Sequence, residues 1–141
     1  RQSLDELMRQ RGMVDADLFD SVRDSIPSSL KIIGLPDTLE RQMNCHGYAF
    51  NRGSWYETHK VGELLREGKL LKLKQAQINS IVLYIDLGRE IPIVYHSAVY
   101  IGKGFVRSKW SNGPIFEHKV FDAPFSYGER IAFYKLTGNI D

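Results

Sequence analysis

The second half of the chain carries a run of strand patterns, and this run limits the possible fold most strongly. Residues 80–87 are almost continuously apolar, which is typical of a strand covered on both faces. Further strand patterns follow over residues 93–101, 105–110, 115–121 and 130–136. The connections are short and rich in turn residues, so successive strands can pair as hairpins. The sequence therefore predicts a five-stranded antiparallel sheet.

The first half of the chain carries helical patterns instead. Residues 1–30 contain two short amphipathic segments, the first with capping-box spacing and the second ending at Pro27. Residues 28–43 have the turn chemistry of a connecting stretch, and a further helix is predicted near Val61 to Glu67. Helices that precede an antiparallel meander indicate an α+β fold.

The size and composition of the chain limit its class. With 141 residues, 43% of them hydrophobic, we expect a single domain over residues 1–141, with a helical lead-in at 1–30 and a core at 44–136. A net charge of +2 is too small to indicate nucleic acid as a partner. The sequence contains no apolar stretch of the length of a membrane span.

The single cysteine and the start of the chain bear on its location. One cysteine cannot form an internal disulfide, so the fold does not need an oxidising compartment. The sequence does not begin with Met and shows no signal peptide. We therefore expect a piece of a longer protein whose native N-terminus is missing. An exported or secreted protein is the expectation, and the compartment itself stays open.

The cysteine lies where a helix is expected to begin. Asn44 is a good N-cap residue, which places Cys45 in the first helical turn. The positive end of the helix dipole and the nearby backbone N–H groups favour the nucleophilic thiolate. His46 follows directly and should point about 100° away around the helix, so we interpret it as a rim residue.

His96 is the most informative of the four histidines because it interrupts an apolar strand. One interpretation is a core histidine whose ring is satisfied by a backbone carbonyl. The other is a general base held rigidly against Cys45, with a third polar group fixing its tautomer. The residues alone support both interpretations.

The segments around Cys45 and His96 together resemble the NlpC/P60 group of papain-like thiol hydrolases. Members carry a cysteine that opens a helix, followed by a sheet strand with the pattern H-x-G-[IV]-Y-x-G-x-G. Residues 96–104, His-Ser-Ala-Val-Tyr-Ile-Gly-Lys-Gly, are similar to that pattern. The likeness covers residues 44–50 and 80–108 and suggests a divergent branch. It implies a papain-like core in which the cysteine helix packs on a five-stranded sheet.

The resemblance also implies roles for individual residues. Cys45 matches the nucleophile and His96 matches the base, whereas Asn44 stands where the family usually has Asp. The residue that should orient the base falls at Ser108 by alignment, although His118 on the next strand is chemically the better partner. An exposed residue on an edge strand is the other interpretation of His118. The candidate catalytic residues are therefore Cys45, His96 and His118, with Ser108 as the open alternative for the third.

Members of this group are typically peptidoglycan endopeptidases or amidases, and their relatives include transferases, deamidases and secreted toxins. The resemblance thus implies a cysteine peptidase or amidase that cleaves an amide bond, with peptidoglycan peptides as one substrate class. The alternative is a secreted toxin or effector that cleaves or deamidates a protein target. A cognate inhibitor or immunity protein would then be a partner. No cofactor is expected.

Two other classes compete with a hydrolase. A zinc-binding module would use Cys45, His46, His96 and His118, but these residues lack the short paired spacing of structural zinc sites, and we expect no metal. A non-catalytic binding domain would keep Cys45 as a small buried apolar residue, which is common for a free cysteine.

Overall fold

A computed structural model describes residues 31–34, 43–86, 93–109, 115–122 and 130–138. These ranges contain two helices, α1 (Cys45–Ala49) and α2 (Thr58–Arg66). They contain seven strands: β1 (Lys31–Gly34), β2 (Leu70–Lys72), β3 (Ile81–Asp86), β4 (Ile93–Gly102), β5 (Phe105–Lys109), β6 (Ile115–Lys119) and β7 (Ile131–Leu136). The predicted helices at 1–30 and the strand residue Trp110 lie outside the described residues.

All seven strands form one antiparallel sheet with the order β1-β6-β5-β4-β3-β7-β2. The α+β class is confirmed, and the five predicted strands are β3 to β7. The predicted count of five is wrong, because a short strand lengthens the sheet at each edge. β1 lies within the stretch 28–43, which was predicted to be a connection, and pairs with β6. β2 pairs with β7.

The tight hairpin between β4 and β5 follows from local backbone chemistry. Gly102, Lys103 and Gly104 all have positive φ angles, which glycine tolerates better than other residues. The turn pairs Tyr100 with Val106 and sets the register of the two strands. The positions of Ser108 and His118 relative to β4 depend on this register.

The sheet has two differently covered faces. We call the side under α1 and α2 the helix face; its core includes Phe50 and Val61 from the helical region and Ile81, Leu83 and Tyr134 from the strands. We call the opposite side the far face; its buried cluster consists of Val82, Tyr84, Ala98 and Val106. Since successive strand residues point to opposite faces, this division assigns every strand side chain to one side.

Candidate active site around Cys45

Cys45 is the first residue of α1 and is partly exposed. The cap residue before it, Asn44, is buried and makes three hydrogen bonds through its side chain. Its Oδ1 accepts from the backbone N–H of Gly47 at 2.9 Å and from that of Tyr56 at 3.0 Å. Its Nδ2 donates to the Tyr56 carbonyl oxygen at 2.8 Å. Asn44 therefore fixes both the helix start and the neighbouring loop.

These contacts give a physical reason for an amide rather than a carboxylate at position 44. A carboxylate can accept the two N–H bonds, but it has no hydrogen to donate to the Tyr56 carbonyl. The amide supplies donor and acceptor from one side chain. Asparagine therefore suits a cap that bonds to both backbone groups of one loop residue.

The loop after α1 packs tightly against the first helical turn. A methyl group added at Gly47 would overlap the Ser54 carbonyl oxygen, so only glycine allows this approach. Tyr56 is buried, and its ring lies 5.6 Å from that of Phe50 and 5.3 Å from the Arg52 guanidinium carbon. Segment 54–56 is thus held against the helix at both of its ends.

His46 is not the rim residue that the sequence suggested. Its side chain is buried, with Nδ1 2.7 Å from Ser97 Oγ on β4 and Nε2 3.2 Å from Thr58 Oγ1 on α2. Burial lowers the pKa of His46 to about 4, so the ring is neutral near pH 7. His46 joins α1, α2 and β4 through one imidazole.

This role of His46 had a signal in the sequence. His46, Ala49 and Phe50 have i, i+3, i+4 spacing, which places them on one side of a helix. All three are buried. The two apolar members identify the buried side, and His46 belongs to it.

His96 lies on β4, the strand against which α1 packs, but its side chain points to the far face. Ser97 meets His46 on the helix face, so the preceding residue points the opposite way. The His96 ring is buried, and its centroid lies 5.3 Å from that of Tyr84 on β3. Burial, with smaller effects of His46 and His118, holds the pKa of His96 well below its ordinary value.

Ser108 and His118, which the sequence offered as alternatives, are partners of each other. His118 Nδ1 lies 2.6 Å from the Lys119 carbonyl oxygen, which can only accept, so Nδ1 carries the hydrogen. Burial lowers the pKa of His118 and favours the neutral ring, whose Nε2 then accepts from Ser108 Oγ at 3.1 Å. His118 is buried on β6, between β1 and β5, so its interpretation as an exposed edge residue is wrong.

Lys109 was not singled out from the sequence. It is fully buried on β5, and strand alternation places it on the same side as Arg107. A lysine in a short strand next to a turn is usually exposed, so its burial left no signal in the sequence pattern.

Two further features of the structure bear on the kind of site. Within the described ranges, no group of three or more His, Cys, Asp or Glu side chains is arranged to hold a metal ion. A cavity of about 470 Å³ opens at the other end of α1, where Phe50, Ile81 and Tyr134 line it, and it does not include Cys45.

The comparisons with known proteins leave the resemblance resting on the residues themselves. No protein-family model matches the chain. No curated protein sequence and no solved structure matches it either. In the part of the chain that the structure describes, no helix is long and apolar enough to cross a membrane.

Proposed function

We propose that the protein is a thiol hydrolase that cleaves an amide bond, with Cys45 as the nucleophile. One observation carries this proposal: a partly exposed thiol stands in the first turn of a helix that is fixed on both sides. Asn44 ties the helix start to the loop, and His46 ties the helix to the sheet. A thiol held this rigidly beside backbone N–H groups suits attack on a carbonyl carbon.

The proposed reaction forms a bond between the Cys45 sulfur and the substrate's carbonyl carbon. The thiol proton passes to a base, and the leaving amine takes up a proton as the C–N bond breaks. Water then hydrolyses the thioester and releases the acid. Backbone N–H groups at the start of α1 would stabilise the oxyanion.

The family resemblance assigns the base to His96, supported by His118. Burial lowers the pKa values of both rings, which keeps them neutral near pH 7 but also makes them weaker proton acceptors. The Ser108–His118 hydrogen bond fixes one tautomer of His118. The orientation of β4 also counts against the pair, because Ser97 rather than His96 faces α1. The base is therefore the part of the proposal that the first experiment addresses.

The test measures the rate at which iodoacetamide alkylates Cys45, the only cysteine, between pH 5 and 9. At pH 7 we expect alkylation about tenfold or more faster than that of glutathione, since an activated thiol is largely thiolate. The His96→Gln variant should lose most of this advantage. His59→Gln, at an exposed histidine on α2, is the matched control. A rate like that of glutathione in the wild type would contradict the nucleophile, and an unchanged rate in His96→Gln would contradict the base.

For the substrate, we propose peptidoglycan peptides, with a protein target of a toxin or effector as the alternative. Release of new amino groups from purified peptidoglycan by the wild type, and not by Cys45→Ala, would support the first. Cleavage or deamidation of a protein without activity on peptidoglycan would support the second. A cognate inhibitor or immunity protein is a proposed partner only in the second case.

The orientation of His96 favours a second candidate function, a non-catalytic binding module. In that case the imidazole–hydroxyl bonds of His46 and His118 serve the fold alone, because both rings are buried and already bonded. Slow alkylation of Cys45 that is insensitive to His96→Gln would favour this function.

A further inference from the structure

We propose that Trp55 is a substrate-contacting residue of the Cys45 site and selects substrates with a flat apolar group beside the scissile amide. The inference rests on the proposed function, because it takes Cys45 as the nucleophile. Within that function it favours the alternative substrate, a protein target, because aromatic side chains occur in proteins and not in peptidoglycan peptides. The path of segment 54–56 and the exposure of the tryptophan support the inference.

Segment 54–56 runs along the first turn of α1. Tyr56 is joined to Asn44 by two hydrogen bonds, and the Ser54 carbonyl oxygen touches Gly47. Cys45 lies between Asn44 and Gly47 in the chain, just as Trp55 lies between Ser54 and Tyr56. From these contacts and the usual bond geometry, the Cα atoms of Trp55 and Cys45 are at most about 12 Å apart.

The two aromatic residues of this segment have opposite surroundings. Tyr56 is buried against Phe50 and is flanked by Arg52 and Lys60, whose charged ends lie 5.3 and 5.9 Å from its ring centroid. Trp55 is 49% exposed to solvent. Tyr56 therefore anchors the segment, and the anchored backbone presents Trp55 to solvent.

This arrangement suits ligand binding better than packing. An exposed indole offers a large rigid surface at small entropic cost, and such surfaces bind apolar side chains and other flat groups. The backbone that carries Trp55 is already fixed, so little ordering is required when a ligand binds. A substrate whose carbonyl carbon reaches Cys45 would place its neighbouring group within reach of Trp55.

The test uses two alkylating probes of the same chemistry and different shape, iodoacetamide and its N-phenyl analogue iodoacetanilide. Because Cys45 is the only cysteine, each rate reports on this site alone. We compare the iodoacetanilide-to-iodoacetamide rate ratio of the protein with that of glutathione. The ratio should be about fivefold or more above glutathione in the wild type, of the order expected for one aromatic contact.

Trp55→Ala should return the ratio to the glutathione value, and Trp55→Phe should keep part of the preference. Phe121→Ala removes another exposed aromatic, beyond the end of β6, and is the matched control that leaves the ratio unchanged. A wild-type ratio equal to that of glutathione, or a ratio unaffected by Trp55→Ala, would overturn the inference.

The two proposals fail in different ways. If Cys45 is not activated, both reagents react slowly at pH 7 and the proposed function fails. The ratio can still be measured at pH 9, where any thiol is largely thiolate, so the role of Trp55 is judged independently. If Cys45 reacts fast at pH 7 but shows no preference for iodoacetanilide, the Trp55 inference alone is contradicted.

Discussion

The two faces of the sheet each bury an imidazole bonded to a strand serine, but the two pairs connect different things. On the helix face, His46 comes from α1 and bonds to Ser97, so it joins a helix to the sheet. On the far face, His118 and Ser108 lie on neighbouring strands that already share backbone hydrogen bonds. The first pair positions α1, the element that carries Cys45. The second pair adds a side-chain hydrogen bond between β5 and β6, which their backbone hydrogen bonds already hold together.

The largest expected effect is the loss of unfolding free energy at acid pH, to which buried histidines on both faces of the sheet contribute. Burial lowers the pKa of His46 to about 4 and also lowers those of His96 and His118, whereas unfolded histidine has an ordinary value near 6.5. The unfolded chain therefore binds more protons, so stability is fully present above about pH 6.5 and is lost as the pH falls towards 4. His46 alone accounts for about 3 kcal/mol over this window.

Urea unfolding at pH 7.5, 6 and 4.5 measures this loss. His46→Gln and His118→Gln should each make the free energy of unfolding less dependent on pH, by removing one buried imidazole from the helix face or from the far face, while the exposed His59→Gln serves as the control. A wild-type free energy of unfolding that is equally large at pH 7.5 and 4.5 would show that the imidazoles are not buried as described.

The next largest effect is a loss of unfolding free energy that arises on the helix face alone. Gly47→Ala places a methyl group against the Ser54 carbonyl, so the loop or α1 must shift, at a cost of about 2–3 kcal/mol of unfolding free energy. Gly62→Ala is the matched control, since a methyl group there meets no neighbouring atom in α2. The control should stabilise the protein by about 0.5–1 kcal/mol, because alanine favours a helix. Equal effects of the two substitutions in thermal unfolding would contradict the close approach of the loop.

The smallest effect sharpens the difference between the two imidazole pairs. Ser97→Ala and Ser108→Ala should each cost about 1–2 kcal/mol, because each leaves a buried ring nitrogen without its hydroxyl partner. Only Ser97→Ala should loosen α1, which is seen as faster hydrogen exchange at the amide of Phe50, bonded to the His46 carbonyl at 2.9 Å. Faster exchange at Phe50 in Ser108→Ala as well would show that the two faces are not separable.

The comparison also explains which parts of the structure the sequence could predict. β3 to β7 were found because their apolar runs are long and are bounded by turn residues. β1 and β2 have only four and three residues, Lys-Ile-Ile-Gly and Leu-Leu-Lys, so both are too short to carry a periodic signal. Edge strands of this kind are held by their neighbours rather than by their own pattern.

The candidate site was predictable in its residues but not in their orientation. Cys45 and His96 are recognisable as unusual residues in helical and strand contexts. Both faces of β4 are buried, however, so no alternation of polar and apolar residues indicates whether His96 or Ser97 faces the helix. The contacts of Ser97 with His46 and of His96 with Tyr84 decide this.

The order of the strands has a consequence for how the chain reaches this structure. β3 to β6 form a meander of neighbours in sequence, whose pairings close short loops and can form early. The outer pairings are remote in sequence, with Leu70 opposite Leu136 and Lys31 opposite Glu117. α1 lies in the chain between β1 and β2, so the meander forms the base on which the Cys45 segment docks. We therefore expect the thiol to reach its final surroundings late in folding, after most of the sheet has assembled.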